Sequence, residues 1–102
     1  MRRGTTPTNT FTVDVDLTDS TIFVTYQQDG ATVIEKTGSD LTVTSTSVAC
    51  TLTQEETLAL HPGRVEVQLR YVTPTGAADA SNIIQTSAER ILKDGVIAYA
   101  DG

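Results

Sequence analysis

Tryptophan is absent from this chain of 102 residues, and cysteine, histidine and methionine occur once each. The single cysteine excludes an intrachain disulfide, so the core alone must hold the fold. Basic residues are also scarce: 7 Lys and Arg stand against 13 Asp and Glu, giving a net charge of -6. Because phosphate groups are bound by basic faces, this balance argues against nucleic acid as a partner and against an anionic membrane surface.

Long apolar runs are missing too, and none approaches the roughly 18–20 residues that a membrane-spanning helix needs. The basic pair Arg2-Arg3 has no apolar stretch behind it, so we expect no secretion signal and synthesis in a reducing cytoplasm. The length suits one domain and excludes a two-domain enzyme or a (β/α)₈ barrel.

Threonine and valine, in contrast, are abundant, and β-branched residues favour strands. Apolar and polar residues alternate along several short segments separated by turn residues. The segments predicted as strands are 11–17, 21–28, 31–36, 41–43, 48–52, 64–71 and 81–88, with a further short strand or ordered tail at 96–99. Six or seven such strands predict an all-β antiparallel sandwich. Residues 1–9 are predicted to form an extended N-terminal arm, and residues 10–102 a single β-sandwich domain.

One helix is expected, near residues 53–60. Thr53 and Glu56 have the spacing of a capping box, in which each side chain binds the backbone N–H of the other residue. Pro62 disfavours helical geometry at His61, so the helix should end there.

Asp29-Gly30 predicts a two-residue hairpin turn. In that register Tyr26 opposes Val33 and Phe23 opposes Lys36, which places Phe23 and Ile34 together on a second apolar face. Either another part of the same chain covers this face, or it is a partner surface. The arm, with Thr5, Thr6 and Pro7, is the other candidate partner surface, because an extended arm can add a strand to a neighbouring sheet.

Few side chains in the sequence are candidates for catalysis or metal binding. Cys50 falls at an inward position, where burial should raise the pKa of its thiol, and His61 falls in an exposed turn. The carboxylates of Asp14, Asp16 and Asp19 are too few for a Ca²⁺ site, which takes 6–8 oxygens. We therefore expect no enzymatic activity, no catalytic residues, no metal and no cofactor.

Several runs of the sequence resemble a small protein of phages and prophages of Gram-positive bacteria. These runs are Arg3-Gly4-Thr5-Thr6-Pro7-Thr8, Leu52-Thr53-Gln54-Glu55-Glu56-Thr57-Leu58, Pro62-Gly63-Arg64-Val65-Glu66-Val67-Gln68-Leu69-Arg70, Ala80-Ser81-Asn82-Ile83-Ile84-Gln85-Thr86-Ser87 and Ile91-Leu92-Lys93-Asp94-Gly95-Val96-Ile97. More distantly, the chain is similar to the N-terminal domain of phage baseplate upper proteins.

The resemblance implies an immunoglobulin-like sandwich with a short helix before a long strand. It also implies a virion structural role in or near the tail or baseplate, contacts with other phage structural proteins, homo-oligomerisation, and synthesis in the bacterial host cytoplasm. The main alternative is a carbohydrate-binding or adhesin-type β-sandwich. Aromatic residues that could stack on sugars make up only 5% of the chain, and Phe23 and Tyr99 are the two not assigned to the core.

Overall fold

The computed structural model describes residues 1–99, which form eight strands, one α-helix and one 3₁₀ turn. In chain order these are β1 (Thr8–Thr12), β2 (Thr21–Gln28), β3 (Ala31–Thr37), the 3₁₀ turn (Gly38–Asp40), β4 (Leu41–Val43), β5 (Ser47–Thr51), α1 (Gln54–Leu58), β6 (Gly63–Val72), β7 (Ala78–Ala80) and β8 (Ile84–Ala88). The all-β prediction is confirmed, with more strands than the six or seven expected.

The strands form two antiparallel sheets. One has the order β1-β5-β4, and the other has the order β3-β2-β6, with β7 and β8 both pairing with the far side of β6. Within residues 1–99 the chain crosses between the sheets from β1 to β2, from β3 to β4 and from β5 to β6, an arrangement found in immunoglobulin-type sandwiches. In that comparison, β1, β5 and β4 occupy the places of strands B, E and D. Strands β3, β2, β6 and β8 occupy the places of C′, C, F and G, and within residues 1–99 no full strand A lies beside β1.

Inward side chains of both sheets build one core. Their alternation is clearest in β2, where every second residue is buried, and in the middle of β6, where Val65, Val67 and Leu69 are buried. The fully buried members include Val24, Tyr26, Val48, Cys50, Leu52, Val65 and Leu69. Thr53 caps α1 through both bonds of the predicted capping box, and the helix buries Thr57 against this core.

Some element boundaries differ from the sequence prediction. Strand β1 begins at Thr8, inside the predicted arm, and ends at Thr12, so residues 13–17 are not a strand. Asp16 instead accepts hydrogen bonds from the backbone N–H and the hydroxyl of Thr18, which turns the chain towards β2. Strand β7 was not expected, β8 starts three residues late, and residues 96–99 form no strand.

Residues 1–7 are held by the rest of the chain. Arg3 donates to the carbonyls of Leu58 (2.9 Å) and Leu60 (2.6 Å), which are acceptors left free at the end of α1. Arg2 forms a parallel bridge with Glu89 beyond β8. Gly4 has a φ of +73°, a conformation that favours glycine, and a Cβ there would also displace Ile91 Cδ1, which would lie 2.9 Å away.

Candidate functional site

The hairpin of β2 and β3 corrects the predicted partner surface. Asp29 and Gly30 have φ values of 52° and 78°, as a type I′ turn requires. Three residues after Gly30, Val33 is an extra residue in β3, because Gln27 pairs with Thr32 whereas Tyr26 pairs with Ile34. Such a bulge shifts the register by one and moves every following side chain to the other face. Ile34 is therefore buried in the core beside Tyr26, at 5% exposure, and does not join Phe23.

Phe23 lies on the outer face of the larger sheet, in a patch that we call the outer patch. It consists of Phe23, Val72, Ala78, Ala80 and the stem of Arg70. Phe23 pairs with Arg70, and Val72 pairs with both Thr21 and Ala78, so these side chains are cross-strand neighbours. Phe23 and Val72 are each 37% exposed, and a shallow hollow of about 120 Å³ separates them.

The predicted role of the arm in partner binding meets a structural difficulty. Thr5 and Thr6 have exposed side chains, but the Thr5 carbonyl accepts a hydrogen bond from the buried Thr57 hydroxyl (2.8 Å). The Pro7 carbonyl accepts one from the Leu52 N–H (2.9 Å). These backbone groups are used within the chain, so the arm is a fixed part of this fold and is not a free strand.

Lys36 and Glu56 form an ion pair that joins β3 to α1. Lys36 Nζ lies 2.8 Å from Glu56 Oε1, and only 9% of Lys36 is exposed. The same Glu56 oxygen accepts the Thr53 N–H (2.8 Å) that completes the helix cap. Desolvation raises the pKa of Glu56, but hydrogen bonds from Lys36 and Thr53 outweigh it, so the pKa lies below its ordinary value. The Glu56 carboxylate therefore has a structural role, since it binds both Lys36 and the helix cap.

Cys50 and His61 do not form a catalytic pair. Cys50 is fully buried in β5, and burial raises the pKa of its thiol, as predicted. His61 Nε2 lies 2.9 Å from Asp29 Oδ2 at the hairpin turn, while its backbone groups bind the buried side chain of Gln28. Hydrogen bonds with Pro62 and Asp29 raise the pKa of His61. These contacts join the hairpin to the α1–β6 connection, so His61 stabilises the packing of these two turns.

The acidic residues are spread over the surface. Asp14, Asp16 and Asp19 are exposed, and within residues 1–99 no three side chains of His, Cys, Asp or Glu come close enough to hold a metal ion. The hydrogen bonds from the Thr18 hydroxyl and N–H lower the pKa of Asp16. Asp14 and Asp79 line one groove, a proximity that their sequence positions could not show.

A second concave region lies at the end of the sandwich where β2 begins. It has a volume of about 480 Å³ and an apolar floor formed by Leu17, Ile22 and Leu41. Ser and Thr hydroxyls form most of its rim. The buried Ser20 hydroxyl has no hydrogen-bond partner within residues 1–99. The cleft offers hydroxyl groups, with Asp19 as the one charged side chain in its lining.

Sequence reasoning missed the open side of the sandwich beside β1. Within residues 1–99 only β5 pairs with β1, and this pairing cannot be read from the sequence pattern. In the described part of the chain, no helix is long and apolar enough to cross a membrane. No protein-family model, curated protein or solved structure matches this chain.

Proposed function

We propose that the protein is a non-catalytic structural module of a phage virion, in or near the tail or baseplate, that works through contacts with neighbouring subunits. The phage assignment is supported by the sequence resemblance. The observation that carries the structural role is the outer patch, where Phe23 and Val72 expose apolar surface beside the charge of Arg70. Contact sites between proteins combine apolar side chains with a polar rim, and the outer patch has both.

The use of the titratable side chains also supports a role without catalysis. The ion pairs of the described chain fasten one part of the fold to another: the N-terminus to Glu89, Arg3 to Asp94, and Lys36 to Glu56. His61 and Asp29 make a further contact of this kind, which is an ion pair when His61 is protonated. A catalytic acid or base instead needs a free position facing a substrate. The buried thiol of Cys50, with its raised pKa, is a poor nucleophile.

Immunogold electron microscopy tests this proposal. Particles are induced from the bacterial strain that carries the gene and labelled with antibodies against the folded protein. We expect gold on the tail or baseplate of intact particles. Label confined to unassembled material, with none on the particles, would overturn the proposal.

A further inference from the structure

The outward side chains of β6 form a row along the middle of the five-stranded sheet. Strand β6 lies between β2 on one side and β7 and β8 on the other. Its residues Val65, Val67 and Leu69 are buried, so the residues that alternate with them point outwards. We call these residues the β6 row, which reads Arg64, Glu66, Gln68, Arg70 and Val72.

The two charges nearest the centre of the β6 row are free to bind a partner. Glu66 and Arg70 lie two residues before and two residues after Gln68. In an extended strand they are about 13 Å apart, which is too far for an ion pair within one chain. Neither makes an ion pair with another residue of the described chain. Within residues 1–99, Gln68 is the one member of the row whose side chain makes a hydrogen bond, which it donates to the Ser81 carbonyl (3.0 Å).

The order of these charges makes the β6 row complementary to itself. Sheets that pack face to face keep their strands within about 30° of parallel or antiparallel. If two copies face each other with antiparallel β6 strands and with Gln68 opposite Gln68, Glu66 of each copy lies opposite Arg70 of the other. With parallel β6 strands, each of these residues would instead lie opposite its own equivalent, and like charges repel. Charge complementarity therefore selects the antiparallel arrangement.

The same arrangement finds a partner for the apolar side chain of the outer patch. On β2, Phe23 lies beside Arg70 and Gln27 lies beside Glu66. The rotation that brings Arg70 over Glu66 of the second copy therefore brings Phe23 over Gln27 of that copy. A hollow of about 70 Å³ lies there, between β2 and β6. The exposed ring of Phe23 is thus placed against a concave part of the opposite sheet.

The twofold axis of this arrangement crosses the strands at Gln68. Thr25 pairs with Gln68 on one side and with Glu35 of the edge strand β3 on the other, so the axis also passes Glu35. The two Glu35 side chains come to the same edge, where they are exposed and their repulsion is screened by water and salt. Ile83, which is 57% exposed, lines the same hollow as Gln68, so the two Ile83 side chains meet near the axis.

We propose that the outer face of the five-stranded sheet binds the same face of a second copy of this chain, with Glu66 of each copy paired with Arg70 of the other. Because each copy contributes the same surface, the contact is complete in a dimer and does not continue into a filament. This dimer rests on the proposed function, in which the outer patch is a contact surface, and it names the neighbour at that surface.

Sedimentation velocity of the full chain over a range of concentrations tests the dimer. We expect the wild type to pass from monomer to dimer, with no larger species. Glu66→Arg and Arg70→Glu each place like charges at both symmetric contacts, so each variant alone should dimerise about tenfold more weakly or worse. Arg90→Glu and Glu55→Arg are the matched controls, since they change the net charge equally at exposed positions outside this sheet face, and both should dimerise as the wild type does.

An equimolar mixture of Glu66→Arg and Arg70→Glu provides the most specific test. In a mixed dimer the two arginines at position 66 and position 70 belong to different contacts, and each contact again joins opposite charges. We expect the mixture to dimerise more tightly than either variant alone. The variant that carries both substitutions should recover in the same way. Because the two positions are too far apart to interact within one chain, contact between copies is what such a recovery reports.

Two further variants test the position of the axis. Glu35→Gln should strengthen the dimer, because it removes the one pair of like charges that the axis brings together. Ile83→Asp should weaken it, because two carboxylates would then meet near the axis. Leu92→Asp, at a side chain that is 93% exposed, is the control for Ile83→Asp and should leave dimerisation unchanged.

The proposal is overturned if the wild type stays monomeric at high concentration, if the single variants dimerise as the wild type does, or if their mixture shows no recovery. Circular dichroism checks that each variant is folded. Should Glu66→Arg or Arg70→Glu fail to fold, Ile83→Asp and its control decide the question. A monomeric wild type that nevertheless labels intact particles would refute the dimer and leave the proposed function standing, whereas a dimer that is absent from particles would do the reverse.

Discussion

Polar side chains inside the sandwich decide how its sheets and helix are joined. The Tyr26 hydroxyl, on a fully buried ring, donates to Asn9 Oδ1 (2.6 Å) and so links the two sheets. Burial raises the pKa of Tyr26, which keeps the hydroxyl protonated as a donor. Lys36 and Glu56 link β3 to the helix in the same way. Buried polar groups of this kind stabilise a fold only while every partner is present.

Replacement of Glu56 by glutamine should destabilise the protein by about 1–2 kcal/mol near neutral pH, because Lys36 loses the negative charge that compensates its burial. Since the folded-state pKa of Glu56 lies below its ordinary value of 4.5, its contribution is complete above that value and is lost as pH falls through the lowered pKa. Urea unfolding of the wild type and of Glu56→Gln across this pH range should therefore show that the difference between their unfolding free energies becomes smaller in acid. Glu55→Gln, at an exposed neighbour in the same turn, is the control and should show no such trend.

Replacement of Tyr26 by phenylalanine should cost about 1–2 kcal/mol of unfolding free energy, because the amide oxygen of Asn9 loses its donor. Tyr71→Phe is the matched control, since the Tyr71 hydroxyl makes no hydrogen bond within residues 1–99. Thermal or urea unfolding measures both. Equal losses in the two variants would show that the Tyr26 hydroxyl contributes nothing specific.

Among the elements, those set by local chemistry were predictable and those set by pairing were not. The Asp29-Gly30 turn, the capping box of Thr53 and the bounds of β2 follow from residue types at fixed spacings, and the structure has them as predicted. The Val33 bulge depends on how β3 fits against β2 and the core, which no local pattern records. For that reason the sequence placed Phe23 correctly on an exposed face but gave it the wrong neighbour.

The same distinction explains the candidate surfaces. The outer patch forms because β6 pairs with β2 and β7 pairs with β6, and the open edge of β1 follows from which strands pair in its sheet. Local sequence patterns do not record either pairing. The alternation of Val13, Val15 and Leu17 suggested a longer first strand. The Asp16–Thr18 turn overrides it, because a short acidic side chain bonds the backbone two residues on.

Deletion of Val33 tests the interpretation of the bulge. Without this residue the ladder becomes regular, while Ile34 still faces Tyr26, so we expect a folded protein that has lost no more than about 2 kcal/mol. Deletion of Thr25 from the regular part of β2 is the contrast, because it exchanges the faces of the residues beyond it and should prevent cooperative folding. Circular dichroism with urea unfolding distinguishes the two. A deletion of Val33 as damaging as that of Thr25 would contradict the assigned register.

At the scale of the whole molecule, the outer faces of the two sheets differ in character. The three-stranded sheet presents small polar residues, such as Thr10, Thr42 and Ser47, whereas the five-stranded sheet presents Phe23 and Val72. Burial of the remaining exposed third of Phe23 and Val72 would contribute about 2–3 kcal/mol to a contact. The account therefore assigns face-to-face contacts to the five-stranded sheet.

Phe23→Asp should weaken self-association by placing a charge in the outer patch, while the β-type circular dichroism spectrum stays unchanged. Sedimentation velocity over a range of concentrations measures the effect. Thr42→Asp, on the outer face of the other sheet, is the control and should behave as the wild type does. If Phe23→Asp unfolds the protein, Phe23 is part of the core and the outer patch is not an interface.

The measurement that tests the central claim most directly is the copy number of this protein in purified particles. Particles from the bacterial strain that carries the gene are banded in a density gradient, and each fraction is analysed by quantitative mass spectrometry. As a structural subunit, the protein should follow the particle peak at a constant ratio to the other structural proteins. A protein that stays at the top of the gradient while complete tails band below it would contradict the account.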